Sequence, residues 1–167
     1  MAVAGGDAAG GTDVLRAPHV LEYPYARSVG PVLGAFFTAL RDGRILGVRS
    51  GDTVVVPPTE YDPVTGADTG DMVEVGPGGV VTTWAWTTRP LTGQPLERPF
   101  AWALVRLDGA DTALLHAVDA GSPDAMATGM RVVPRWRPAS ERQGHIRDIE
   151  CFVPESSPAG SSDGAAR

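Results

Sequence analysis

Apolar positions change rhythm along this chain, and the changes mark its elements. Val32, Leu33, Phe36, Phe37 and Leu40 fall at i, i+1, i+4, i+5 and i+8, which lays one apolar stripe along a helix. Pro31 suits the first helical turn, Ser28 or Gly30 the N-cap, and Gly43 the left-handed residue that ends the helix. Beyond it the period falls to two. "RILGVR" and "TVVVPP" are two short strand candidates joined through "SGD", where Gly51 supplies a positive φ; Pro57 and Pro58 end the second because neither donates to a ladder.

From residue 72 onward nearly every apolar run reads as a strand: "MVEV", then 80–89, 100–107, 111–118, 130–137 and 145–153, separated by Gly- and Pro-rich turns. Strict alternation in 80–89 places Val80, Thr82, Trp84 and Trp86 on one face. In 100–107 it sets Phe100, Trp102, Leu104 and Arg106 against Ala101, Ala103, Val105 and Leu107. Such segregation of large from small side chains fits a tightly curved barrel with a limited interior. Between the third and fourth of the five long strands, "GSPDAMATGM" predicts a one-turn helix capped by Ser122, starting at Pro123 and ended by Gly129. Three strands, a short helix and two strands is the order of an OB-fold.

Composition adds limits. With 167 residues and 43% hydrophobic content, the chain suits one compact domain, or one with a small appendage. Residues 1–18 and 154–167 are rich in Gly, Ala and Ser and too poor in large apolar side chains to offset their ordering entropy, so both are expected to be mobile tails. The N-terminal stretch lacks the basic start and apolar run of a signal peptide, and no segment has the length of a membrane span, so a cytoplasmic protein without membrane partners is expected. All 14 basic residues are arginine against 20 acidic ones, a net charge of −6, which argues against a generic nucleic-acid binder.

Candidate chemistry is sparse. Cys151 is the only cysteine, so neither an internal disulfide nor a Cys-rich zinc site can form from this chain alone. On the predicted strand 145–153, His145 and Cys151 share a face with Ile149 and Val153, which reads as core; His116 alternates with Leu114 and Val118 and reads as a core or barrel-mouth histidine. Arg131, Arg135 and Arg137 share one face of the fourth barrel strand, most simply a solvated outer face. Two functional readings compete with that: contacts to the phosphates of coenzyme A, or tracking of a single-stranded nucleic acid whose bases stack on exposed Trp84 or Trp86.

The helix ending in "LRDGRILGVR", the proline pair, the "DPVTG" turn, the "VEVGPGGVV" entry to the barrel and "ATGMRV" occur in an order that resembles the zinc-ribbon/OB-fold family, also known as domain of unknown function 35. The resemblance covers nearly all of residues 25–153. It is strongest to the domain that partners a thiolase-like, lipid-transfer-protein-like aldolase in actinobacterial steroid side-chain degradation. It implies a mainly β fold with an N-terminal segment and docking helix (19–43), a degenerate rubredoxin-like ribbon (44–75) and a five-stranded OB-fold (76–153). The family places one Cys-x-x-Cys pair before the prolines and a Cys-Pro-x-Cys after them. Here Ser50 stands near the first thiolate position, and Asp62-Pro63-Val64-Thr65 replaces the second pair, so a metal-free hairpin region is expected in which Asp62 and Thr65 bond their own turn.

The function implied is that of a non-catalytic accessory subunit, without cofactor, of a thiolase-superfamily aldolase performing retro-aldol cleavage of a β-hydroxyacyl-CoA steroid side chain. The resemblance further implies two copies of each chain, with the acyl-CoA held mainly by the partner. Tyr23, Tyr25, Val32, Phe36, Phe37 and Leu40 form the expected partner interface, since aromatic residues are enriched in interface cores; the competing reading is that the helix stripe with its two adjacent phenylalanines packs on the chain's own sheet. Association with an enoyl-CoA hydratase-like enzyme is the alternative within the same chemistry, and a single-stranded nucleic-acid-binding OB-fold the alternative outside it.

Overall fold

Among the described residues one α-helix precedes eight strands, and its start is held from a distance. The computed structural model describes residues 17–23 and 28–155. Helix α1 (Pro31–Arg41) has Gly30 at the N-cap and no side-chain bond from it. The orphan N–H groups of the first turn are satisfied instead by Glu60, whose carboxylate accepts from Val32 N at 3.3 Å and Leu33 N at 3.0 Å. Ser28, the other expected cap, is exposed and takes no such role. Glycine at position 30 is explained by this approach: a Cβ there would lie 2.2 Å from Glu60 Oε1.

Strands β1 (Ile45–Ser50), β2 (Thr53–Val55) and β3 (Met72–Val75) form a small antiparallel sheet in the order β2-β1-β3. The outer edge of β2 is tied to the segment entering β6: Val54 N donates to Asp111 Oδ2 at 2.7 Å and Val56 N to Thr112 Oγ1 at 2.6 Å. Between β2 and β3 the knuckle-like turn closes on Asp62. Its Oδ1 accepts from Val64 N at 2.8 Å, Thr65 N at 2.6 Å and Thr65 Oγ1 at 2.9 Å, while Ser50 Oγ donates to Oδ2. The expected Asx-type turn is present, and Ser50 joins it from the β1–β2 hairpin. The Ser50 hydroxyl first, then the Thr65 and Val64 N–H groups and the Thr65 hydroxyl, hold the Asp62 carboxyl well below the usual carboxylate range.

Strands β4 (Gly79–Thr87), β5 (Phe100–Leu107), β6 (Leu114–Val118), β7 (Arg131–Trp136) and β8 (Ile149–Pro154) close into a barrel in the order β4-β5-β6-β8-β7, with β6 and β8 parallel and the other pairs antiparallel. This is the OB arrangement that the element order predicts. A 3-10 turn at Pro123–Ala125 stands where the short helix was expected; it ends at Met126 rather than running to Gly129, and Ser122 makes no side-chain cap bond. Inside the barrel lies the small face of β5: Ala101, Ala103, Val105 and Leu107 are buried with Val81, Leu114, Val118, Val132, Ile149 and Phe152. Phe100, on the other face, packs with Leu96, Ala117 and Cys151 in a satellite cluster against which Trp102 lies.

Two expectations from alternation fail. In β4 the register passes from Val81↔Val105 directly to Thr83↔Leu104, so Thr82 is an extra residue and the faces exchange beyond it. Val81 therefore shares the core side with Trp84 and Trp86, which are half-buried against the core, rather than Val80 sharing their face. His145 does not stand on a strand with Cys151: it caps the 3-10 turn Ile146–Asp148, and β8 starts only at Ile149. The buried Asp148 carboxylate secures that turn by accepting from Gln143, Gly144 and His145 N–H, which outweigh the opposing effect of burial and keep its pKa below the ordinary value.

Helix α1 has no core of its own. Phe36 is 2% exposed and Leu40 fully buried, in the same cluster that runs through Ile45, Val56 and Val75 into the barrel. Burial of each such side chain contributes about 1.5–3 kcal/mol.

Two outcomes are expected. Glu60→Ala should cost about 1 kcal/mol, the typical worth of a helix cap, and Gly30→Ala should show a coupling to it of similar size, about 1 kcal/mol, in a urea double-mutant cycle. Strict additivity would mean the two positions do not interact. For Asp62, whose folded pKa is depressed, the associated stability is present above the unfolded value of about 3.9 and is lost as pH falls through the folded value. Asp62→Asn keeps the acceptor oxygen but not the charge, so its urea midpoint should fall less steeply than that of the wild type in a series taken below pH of about 4.

Candidate functional site

The helix face that remains after folding is narrower than the stripe in the sequence. Phe36 and Leu40 are removed from the expected partner interface because the chain itself buries them. Val32, Leu33 and Phe37 are half-buried, and Phe37 meets Phe36 with ring centroids 5.5 Å apart. Next to them in sequence, Tyr23 is 74% exposed, and Val20, Leu21 and Val29 are also more than half exposed. Tyr25 and most of both expected tails lie outside the described residues.

At the ribbon position Ser50, Asp62 and Thr65 do come together, but as a saturated hydrogen-bonded knot. The donors there are two hydroxyls and one carboxylate, with neither thiolate nor imidazole, and this set does not fit zinc, which is bound by Cys, His and carboxylate ligands in a tetrahedron. Among the described residues, no group of three His, Cys, Asp or Glu side chains is placed to hold a metal ion.

The three arginines share no partner. Arg131 grips Asp108 with both terminal nitrogens at 2.6 and 2.7 Å and donates from Nε to Glu155 at 2.9 Å. Arg135 binds Glu150 at 3.0 Å and Asp119 at 3.2 Å, and Asp119 also takes Arg98. Their charge is thus matched within the chain, which weakens the phosphate and nucleic-acid readings together. Arg137 is different: its Nε donates to Arg147 O at 2.8 Å, Glu141 stands 4.0 Å away, and its side chain borders a cleft.

That cleft, of about 380 Å³, lies where β6 and β8 separate; the two strands pair in register only at Val118↔Phe152. Trp102, Leu115, His116, Ile146 and Ile149 line it, with Arg137, Arg147 and Glu150 among its polar residues. His116 is only 6% exposed, edge-on to Phe152 at 5.5 Å, with Nε2 3.5 Å from Ile146 O and no partner at Nδ1. Burial, outweighing the backbone groups of Ile146 and Ala117, pushes its pKa below the ordinary imidazole value, so it is neutral at neutral pH. The barrel-mouth reading of this residue is met. The cleft itself was not read from the sequence, although Leu115, an exposed leucine between two buried positions of β6, is the signal that pointed there.

The remaining nucleophile candidate is inert. Cys151 is fully buried, and burial first, then the neighbouring Glu150 and Asp119 carboxylates, push its thiol up to about 11 against the opposing pull of Arg135 and Arg98. Among the described residues no helix is long and apolar enough to cross a membrane.

Comparison with known proteins places this geometry. A search of the curated proteins returned no match. Among solved structures, the chain is similar to a chain of "Ltp2-ChsH2(DUF35) aldolase" at 26% identity and a TM-score of 0.56, over 77% of this chain and 98% of that one. It also shares its fold with a DUF35-family protein of unknown function from Sulfolobus solfataricus, at 20% identity and a TM-score of 0.50, over 63% of this chain and 78% of that one. Residues 72–137, which span β3 to β7, match the family model described as ChsH2, C-terminal OB-fold domain. Over those residues the chain is similar to the ChsH2 C-terminal OB-fold domain, and its fold is that of the zinc-ribbon/OB-fold (DUF35) proteins that its sequence resembles.

Proposed function

We propose that the chain is a non-catalytic accessory subunit of a thiolase-superfamily aldolase, acting in the cytoplasm. The observation that carries this reading is the likeness to a chain of the Ltp2-ChsH2(DUF35) aldolase over 98% of that chain. The chemistry of the described residues supports it: the one thiol is buried with a raised pKa, and the ribbon position holds a saturated hydrogen-bonded knot. A helper role needs a docking surface rather than a reacting group.

That surface is the outward side of α1 with the segment before it. Tyr23, Leu21 and Val29 are exposed, and Val32, Leu33 and Phe37 retain part of their area for a partner. An aromatic and aliphatic patch of this kind supplies the desolvated centre of a protein interface. Phe36 and Leu40 act behind it by fixing the helix on the core.

The reaction we assign to the complex is retro-aldol cleavage of a β-hydroxyacyl-CoA bearing a steroid side chain. A base on the partner takes the hydroxyl proton, the bond between the α and β carbons breaks, a carbonyl forms at the β carbon, and the electron pair passes to the α carbon beside the thioester. The partner holds most of the acyl-CoA, and two copies of each chain form the assembly. An enoyl-CoA hydratase-like partner is the competing outcome that identification of the bound protein decides. Nucleic acid is disfavoured by half-buried Trp84 and Trp86 and by carboxylate-paired Arg131 and Arg135.

Co-expression with the thiolase-like protein should yield a stable complex with lyase activity. Tyr23→Asp combined with Val29→Asp, both more than half exposed, should abolish co-purification while changing the stability of the isolated chain by no more than about 0.5 kcal/mol per site. Survival of a fully active complex would place the docking surface elsewhere.

A further inference from the structure

The cleft between β6 and β8 has the makings of a ligand site that neither the docking surface nor the knot explains. Its volume of about 380 Å³ lies within the range of small-molecule sites, about 300–1,000 Å³. The wall is apolar and partly aromatic: Trp102 is half-buried, Leu115 is 58% exposed although it stands on a barrel strand, and Ile146 and Ile149 close the floor around His116. Isolated exposed leucines are ordinary, but one set beside a tryptophan and a buried, unpartnered imidazole nitrogen is not.

Charge is distributed unevenly around this wall. Of the three charged residues lining it, Glu150 is occupied by Arg135, which leaves Arg137 and Arg147 facing the opening. Asp148, between Arg147 and Ile149 in sequence, is buried and spends its carboxylate on three backbone N–H groups rather than on an ion pair with either arginine, and Glu141 reaches Arg137 only at 4.0 Å. Arg147 is itself steadied by donating Nη2 to Gly93 O at 3.1 Å, and Arg137 by donating Nε to Arg147 O. Two guanidinium groups are thus held by backbone carbonyls beside an apolar cavity, in a chain whose overall charge is −6. A planar guanidinium beside an apolar wall favours a carboxylate or sulfonate attached to a hydrophobic body.

We propose that this cleft is a binding site for a small amphipathic anion, its flat apolar body seated on Trp102, Leu115 and Ile146 and its acidic group met by Arg137 and Arg147. The inference does not rest on the aldolase reading and concerns the isolated chain. Anilinonaphthalene sulfonate, which joins a fused aromatic body to one anionic group, is the probe. Fluorescence titration of the full chain should give saturable one-to-one binding, and Leu115→Glu and Arg147→Glu, both at exposed positions, should each weaken it about tenfold or more, about 1.4 kcal/mol. Val64→Glu and Arg106→Glu, exposed changes outside the cleft, should leave it unchanged. Non-saturable binding, equal affinity in the cleft variants and the controls, or displacement of the probe by short oligothymidylate would overturn the proposal.

Discussion

Seating Phe36 and Leu40 against the β core is the interaction on which the rest of this structure depends. A helix of 11 residues is too short to be stable on its own in water, and burial of these two side chains places it on the small sheet and the barrel together. The single cluster from Phe36 through Val56 and Val75 to Val105 and Phe152 makes helix, sheet and barrel one hydrophobic unit. Because the inner edge of the stripe is consumed in this way, what stays exposed is the outer edge with Tyr23 and Val29, the face proposed for docking.

Polar groups then set the angle at which the parts meet. Glu60 reaches back from the segment after the prolines to the first turn of α1, and Asp62, two residues later, binds Ser50 of the β1–β2 hairpin. A stretch of three residues thereby connects helix, hairpin and knuckle. Hydroxyl and amide donors around one carboxylate close the turn. Each such bond contributes only about 0.5–1.5 kcal/mol net, or somewhat more to a charged acceptor. The sheet is also held by its continuous core and by Asp111 and Thr112 at the edge of β2.

The acidic character of the chain has a structural use as well. Asp108, Asp119, Glu150 and Glu155 answer Arg98, Arg131 and Arg135 around the outer surface of the barrel, so most of the strand arginines are neutralised internally. Exposed pairs of this kind add little stability individually. Their effect is on recognition: pairing Arg98, Arg131 and Arg135 with carboxylates interrupts the continuous basic track that a nucleic acid requires.

Much of this architecture was legible in the chain's order of residues, because it rests on local rules. The helix follows from a 3.6-residue period after Pro31, the strands from alternation bounded by glycine and proline, the OB order from the position of "GSPDAMATGM", and the Asx turn from "DPVTG". What required the tertiary structure was every relation across the chain. Thr82 is an extra residue only because its partner strand advances by one step while β4 advances by two, so no alternation rule applied to β4 alone finds the exchange of faces. Glu60 caps a helix 27 and 28 residues away, and the arginines and carboxylates of distant strands meet only when the barrel closes. Period and turn chemistry act between neighbours in sequence and so determine elements and their order; which edge of a helix is buried, which charges cancel and where a cleft opens are decided by non-local contacts that the closed barrel alone brings within reach.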